Sequence, residues 1–316
     1  MTILVTGGAG FIGSHLIDSL LKGDHHIICI DDLSLGRINN IQHHFENKNF
    51  KFIEMDILDE DRLDDIFKKY KFNTVFHLVA SSDIHSGVRD PRIDFRKTFL
   101  STFTILLHMR KNGVNQIIFP SSSAIYGEKK GRLTEDVGPL FPTSPYGSAK
   151  LSSEAFISAF SNLYGMQAWI IRFPNVTGGR ATHGVVFDFI NKLKNDSKKL
   201  VILGDGKQEK PYIYVEDLID GILFIWKNGQ ESLNYFNIGP QDTTSVLKIA
   251  EIITKEMSLN NVVFEYTDGN KGWSGDVSKF DYDVSKINSC GWHTSLSSDE
   301  AVRVAVRAQL SFLENI

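Results

Sequence analysis

Short apolar runs recur at positions 2–6, 26–30, 50–54, 74–78, 116–120 and 168–173, and each predicts a buried strand. Between them, stretches 11–22, 61–70, 98–112 and 146–164 carry apolar residues at helical spacing. Alternation at this pitch implies an α/β fold, a doubly wound parallel sheet covered by helices on both faces. Beyond about Arg172 the rhythm breaks. Pro174, Asn175, Gly178 and Gly179 are followed by a basic helix, by Gly204-Asp205-Gly206, by short elements near 262–266 and by a final amphipathic helix over 298–313. This part predicts a second, smaller α+β lobe. A strand–helix pattern returns at 212–226. The expected division is therefore 1–172 as the first domain and 173–316 mainly as the second lobe, with segments near 212–238 returning to the first. Ligands of open α/β sheets bind outside the carboxyl ends of the strands, so the site is expected in a cleft there.

Gly7, Gly10 and Gly13 make the first strand-to-helix turn a candidate for binding a pyrophosphate. Glycines permit a tight turn and a close backbone approach, and the helix that opens at Phe11 and Ile12 directs free N–H groups at the anion. The turn sits between a first strand and a first helix, which identifies a Rossmann fingerprint better than the glycines alone. The second strand ends at Asp31-Asp32. A carboxylate there suits the ribose hydroxyls of an adenosine and repels a 2′-phosphate, so NAD is expected over NADP. The alternatives are that Asp31 only starts a turn, and that nearby Arg37 accepts a phosphate. Asp56, after the third strand, is a candidate partner for the adenine amino group and equally an ordinary loop acid.

Composition adds exclusions. The 316 residues are 42% hydrophobic, enough for a large core, and the net charge of −4 offers no global field for nucleic acid. Two cysteines, Cys29 and Cys290, cannot build a disulfide framework or a zinc site alone and suit a reducing compartment. No apolar run reaches the roughly 18 residues that span a bilayer, and the N-terminal residues enter a strand pattern directly. A cytoplasmic protein that engages neither membrane nor nucleic acid is expected. No metal site is expected either. His183 has no second ligand at suitable spacing, and His43-His44 and His25-His26 read as unpartnered surface. The run 192–199 reads as a solvated basic helix face and its exit loop.

Tyr146 and Lys150 lie four residues apart at the start of a helix pattern, which puts both on one face. An ammonium beside a phenol lowers its pKa and prepares it as a base. The pair alone reads equally as an exposed helical pair. Ser121-Ser122-Ser123, just after the fifth strand, adds a hydroxyl at the sheet's carboxyl edge, where serines also serve as turn formers. Together, Ser122, Tyr146 and Lys150 form a candidate proton relay.

Motifs along the chain extend this reading. Thr6-Gly7-Gly8-Ala9-Gly10-Phe11-Ile12-Gly13, Ser121-Ser122-Ser123-Ala124-Ile125-Tyr126-Gly127 and Tyr146-Gly147-Ser148-Ala149-Lys150 resemble the extended short-chain dehydrogenase/reductases. The resemblance is to their NAD-dependent sugar-nucleotide epimerase/dehydratase branch, and most to UDP-glucose 4-epimerase-like members. It continues through Arg172-Phe173-Pro174-Asn175, Gly204-Asp205-Gly206-Lys207-Gln208, Tyr214-Val215-Glu216-Asp217, Phe236-Asn237-Ile238-Gly239 and Gly275-Asp276-Val277.

The resemblance implies that Tyr146 takes the proton of a sugar 4-hydroxyl while hydride passes to NAD. Lys150 would bind the nicotinamide ribose and Ser122 the reacting hydroxyl. It implies NAD contacts from Gly7, Gly10, Phe11, Ile12, Gly13, Asp31, Asp32, Asp56, Ile57, Leu78, Ala80, Tyr146 and Lys150. Sugar-nucleotide contacts would come from Ser82, Ser122, Ser123, Asn175, Arg180 and Lys210. Dehydratases of this branch carry Asp-Glu where this chain has Ser123-Ala124, and decarboxylases a Glu at Ala124, so a 4-epimerase is expected. The alternatives are a nucleotide-sugar 4-dehydrogenase or 4-keto reductase and a non-catalytic NAD sensor.

Three positions depart from the branch: Thr98 replaces a common Asn, Lys210-Pro211 an Arg-Asp pair, and Trp273 an arginine that clamps diphosphate. Lys210, Arg180 or Arg172 would then supply the phosphate contact. A homodimer is implied through the two long helices, with Phe99, Phe103, Leu106, Phe156 and Phe160 in excess of one internal face.

Overall fold

The structure is a computed structural model and describes residues 1–267, 269 and 279–314. A seven-stranded sheet forms the first unit's centre: β1 (Thr2–Thr6), β2 (His26–Asp31), β3 (Phe50–Glu54), β4 (Thr74–His77), β5 (Gln116–Pro120), β6 (Gln167–Arg172) and β7 (Leu233–Asn237). Its order is β3-β2-β1-β4-β5-β6-β7, and β1 through β6 pair in parallel. Phe173 leaves β6 because Pro174 restricts it and can donate no ladder bond. The chain winds outward from β1 to β3, then returns to lay β4 on the other side of β1. This reversal leaves a crevice at the carboxyl ends of β1 and β4.

Strand side chains alternate, so neighbouring positions serve opposite faces. Leu4, Ile28, Ile30, Val75, Ile117 and Phe119 join Leu63 and Phe67, Ile105 and Met109, and Ile157 and Phe160 in one buried cluster. Those last three pairs belong to helices Glu60–Tyr70, Ser101–Asn112 and Pro145–Tyr164. Helix Phe11–Leu20 buries Leu16 and Ile17, and Trp226 meets Phe76 edge-on with ring centroids 5.1 Å apart.

The helix expected over 98–112 begins earlier and is not regular. Arg92–Asp94 is a short α turn, and Phe95–Leu100 is π-helical before Ser101. The wide turn leaves the Thr98 carbonyl to side chains: it accepts from Thr102 Oγ1 at 2.6 Å and Ser101 Oγ at 3.2 Å. Buried Thr98 also accepts the Ser81 N–H on its Oγ1 at 3.1 Å. The threonine found in place of the common asparagine thus tethers the loop after β4. Leu106 and Phe160, expected among the surplus apolar residues, are core, whereas Phe95, Phe156 and Leu163 are exposed.

Residues 126–140, 173–221 and 237–316 cluster as a second compact unit, and 222–236 cluster with the first. In the second unit, Asn175–Thr177 pairs in parallel with Tyr212–Tyr214, and Lys199–Ile202 with Val263–Tyr266. Helices Val185–Asn195, Val246–Glu256 and Ser298–Glu314 close over Phe189, Ile190, Ile249, Ile253, Val302 and Val306. Buried Asn237 pins three segments: its amide donates to Leu133 O at 2.8 Å and Asp283 O at 3.0 Å, and its oxygen accepts from the Tyr126 hydroxyl at 2.7 Å. No helix among the described residues is long and apolar enough to cross a membrane.

Thr98→Val keeps shape but leaves the buried Ser81 N–H without its acceptor, a loss of about 1–3 kcal/mol. A lowered thermal midpoint is expected, restored by Thr98→Ser; an unchanged melt would remove the tether from the account.

Candidate active site

The glycine turn is built so that backbone stands where side chains would. A Cβ on Gly13 would lie 2.3 Å from Gly7 O and 2.7 Å from Gly8 Cα, and one on Gly7 2.9 Å from the Leu78 carbonyl carbon. Gly7 also holds φ +68°, a left-handed conformation that only glycine adopts freely. Helix Phe11–Leu20 starts at Gly10 without a side-chain cap. These features fit a dinucleotide diphosphate: a cradle without side chains at the N-terminus of a helix, in the β1/β4 crevice.

Asp31 is buried and already bound to this turn. Its carboxylate accepts from Ala9 N at 2.9 Å and Leu33 N at 2.8 Å, while burial raises its pKa. Two oxygens offer about four lone-pair sites, so capacity remains for ribose hydroxyls. Asp32 is exposed and caps Ser34 N at 2.9 Å. Asp56 is exposed, Ile57 is buried, and Leu78 and Ala80 are half-buried in the segment after β4.

Pro145–Tyr164 starts at Ser144, whose hydroxyl accepts the Gly147 N–H, with Pro145 in the first turn. A Cβ on Gly147 would stand 2.6 Å from Ala124 O, so glycine lets the helix press against the serine turn. There Ser122 lies close enough to the Tyr146 phenol to pull its pKa down. Tyr146 as a residue is only partly buried, but protein crowds its hydroxyl, and that desolvation pushes the pKa up to about 12 against the pull of Ser122.

Lys150 differs from expectation. Its Nζ donates to Pro120 O at 2.7 Å, sits over the Phe119 ring and is 6.0 Å from the Tyr146 ring centroid. Burial lowers its pKa to about 7, opposed by Glu154. Lowering of the Tyr146 pKa by Lys150, expected from the spacing, is therefore not seen in this geometry: desolvation governs both groups.

Several residues of this centre carry no sequence motif of their own. Glu154 lies one helical turn beyond Lys150, accepts the Ser121 hydroxyl at 2.5 Å and pairs with Arg172, Nη2 to Oε2, at 2.7 Å. All three are buried at the carboxyl ends of β5 and β6. Arg172, a candidate phosphate contact on sequence grounds, is committed to this pair. His77, at the end of β4, meets Thr6 Oγ1 at 2.7 Å, and burial, then Lys150, pushes its pKa down to about 3, leaving it neutral. Asp94 is buried with neither carboxylate oxygen bonded; burial, then Asp83, raises it to about 6, and its charge opposes ionisation of Tyr146. Helical spacing could have flagged Glu154, four residues after Lys150 on the same face. Nothing local marks His77 or Asp94.

Ser82 is exposed at the end of the loop that Thr98 tethers, and half-buried Ser123 follows Ser122 in a 3₁₀ turn. Asn175, Arg180 and Lys210 belong to the second unit and are all half-buried. Asn175 opens a strand, and Lys210 lies in the two-residue ladder with Thr244–Ser245. Trp273 and Gly275-Asp276-Val277 lie outside the described residues. His43 and His44 are not unpartnered: both reach Asp18 Oδ1, at 3.0 and 2.7 Å. His25 is half-buried near Trp226.

Comparison with known proteins bears on the family and the fold. The NAD dependent epimerase/dehydratase family model matches residues 3–239. A putative UDP-glucose 4-epimerase of Methanocaldococcus jannaschii is 35% identical over 312 residues, 96% of this chain and 97% of that one. A crystal structure of UDP-glucose 4-epimerase with UDP-glucose from Thermotoga maritima superposes with a TM-score of 0.89 at 33% identity, covering 99% and 100% of the two chains. UDP-glucuronic acid 4-epimerase from Bacillus cereus, in complex with UDP-glucuronic acid and NAD, gives 0.88 at 28% identity over 98% and 99%.

Glu154→Ala strands the buried Arg172 guanidinium and should cost about 3–5 kcal/mol. Adding Arg172→Met should recover most of that loss in thermal melts. A double variant that melts no higher than Glu154→Ala would show that the stranded guanidinium is not the source of the loss.

Proposed function

The chain belongs to the NAD-dependent epimerase/dehydratase family, and within it we propose that the protein is a 4-epimerase of a UDP-hexose-like nucleotide sugar. The observation that carries this reading is Ser122 acting on the Tyr146 phenol beside a serine turn that holds no acid. Elimination of water from the sugar needs an acid and a base next to Ser122. Ser123 and Ala124 supply neither, which favours epimerisation over dehydration.

In this proposal Tyr146 accepts the proton of the sugar's 4-hydroxyl and later returns it. Ser122 holds the reacting oxygen and keeps the phenol aimed at it. Lys150, oriented by Pro120 O, binds the nicotinamide ribose. NAD, held by the glycine turn and Lys150, would supply the hydride acceptor and donor for C4 of the sugar. The glycine turn with Phe11 and Ile12 binds its pyrophosphate, Asp31 and Asp32 the adenosine ribose, Asp56 and Ile57 the adenine, and Leu78 and Ala80 flank the cofactor. Ser82, Ser123, Asn175, Arg180 and Lys210 are the proposed sugar-nucleotide contacts. Arg172 drops from that group because Glu154 holds it. Exposed Leu107, Phe156 and Leu163 on the two long helices, with Phe95 at the start of the π-helical stretch before the first of them, support a homodimer there.

Tyr146→Phe removes the proton acceptor and leaves the ring, so turnover should fall by roughly 10²–10⁴ with NAD binding nearly unchanged. Incubation with UDP-glucose and UDP-galactose, followed by NMR and by absorbance of reduced cofactor, reads the hydride's fate. An epimerase interconverts the pair without accumulating NADH; stoichiometric NADH with a 4-keto product would make the protein a dehydrogenase instead. On assembly, sedimentation should show a dimer that Leu163→Glu weakens, whereas a monomer at micromolar concentration contradicts the proposed interface.

A further inference from the structure

Outside the proposed active site, one cluster of side chains among the described residues has metal-ligating chemistry. We propose that Asp18, His43 and His44 form a binding site for a divalent transition-metal ion, zinc foremost, that braces the helix carrying the glycine turn. Both imidazole Nε2 atoms converge on a single oxygen, Asp18 Oδ1, at 3.0 and 2.7 Å, and the three atoms lie within 4.8 Å of one another. A tetrahedral ion with bonds of about 2.0–2.1 Å separates its ligand atoms by roughly 3.3 Å. The two short spacings need open by roughly 0.3 and 0.6 Å to admit an ion. Two neutral imidazoles and one carboxylate form a borderline donor set suited to zinc, copper or nickel rather than to calcium or magnesium.

The surroundings preorganise these donors. Gln42–His44 is a 3₁₀ turn, and the two imidazole centroids stand 3.9 Å apart. His44 is half-buried against Phe50, with ring centroids 5.6 Å apart and its side chain 15% accessible, while the His43 side chain is 46% accessible. The site is therefore anchored on one side and open on the other, where water completes the coordination sphere.

Its position gives the ion a purpose. Asp18 rides on helix Phe11–Leu20, whose N-terminus closes the glycine turn. The segment that bears the histidines is tied to the same turn: Arg37 N and Asn40 Nδ2 both donate to Ala9 O, at 3.0 and 2.9 Å. An ion at Asp18, His43 and His44 closes this ring at the far end of the helix and rigidifies the cradle.

The test uses the full-length protein, stripped with a chelator and titrated with Zn²⁺ by calorimetry and with Co²⁺ by visible absorption. One saturable equivalent per chain is expected, with tetrahedral cobalt bands and a thermal midpoint that rises with zinc. His43→Ala and Asp18→Asn should each weaken binding by at least about tenfold, the scale of disturbing a metal ligand set. Near-parental melting without metal shows that these variants fold. Absence of saturable binding, or equal affinity in both variants and the parent, overturns the site and leaves Asp18 hydrogen-bonded to the two histidines. Neither outcome bears on the epimerase proposal, because no residue of this cluster belongs to the proposed NAD or sugar site.

Discussion

Glu154 is the constraint on which the proposed catalytic centre depends. Its buried carboxylate is held by Arg172 at the end of β6 and in turn holds Ser121 at the end of β5. It also opposes the loss of charge that burial imposes on Lys150. A buried ion pair is weak evidence for stability, since desolvating two charges cancels much of their attraction. Its value here is geometric: one group fixes the serine turn and the lysine helix relative to two strand ends.

The cofactor turn relies on the opposite device. At Gly7 and Gly13 the backbone comes so close to itself, and to the segment after β4, that no Cβ fits. Asp31 fastens the turn through the Ala9 N–H, so it anchors the cradle besides its proposed ribose contact. Above the crevice, the π-helical stretch at 95–100 and the Thr98 hydroxyl tether the loop after β4. Each support acts on main chain, which places ligand-binding backbone without occupying the space a ligand needs.

The phenol's chemistry is set by the same enclosure. Desolvation raises Tyr146 and lowers Lys150, so both neutral forms are favoured where the pair is buried. Asp94, buried and unbonded, pushes Tyr146 in the same direction. Activation of the phenol by a neighbouring ammonium is thus not inherent in four-residue spacing; it requires the ammonium to be charged and directed at the ring, whereas here it donates to Pro120 O.

The parallel sheet and its first six strands were legible in the sequence, because local periodicity and glycine placement report directly on strands, helices and tight turns, and the family was legible from the resemblance of its motifs. Ser122, Tyr146 and Lys150 were legible as candidates for the same reason, each lying at a fixed offset from a strand end or helix start. What the sequence left undecided is what distant residues do to one another. The commitment of Arg172 to Glu154, the neutrality of His77, the unbonded Asp94 and the convergence of His43 and His44 on Asp18 all join positions far apart in the chain or facing a shared interior. Burial and charge pairing are properties of that interior, and only tertiary packing creates it.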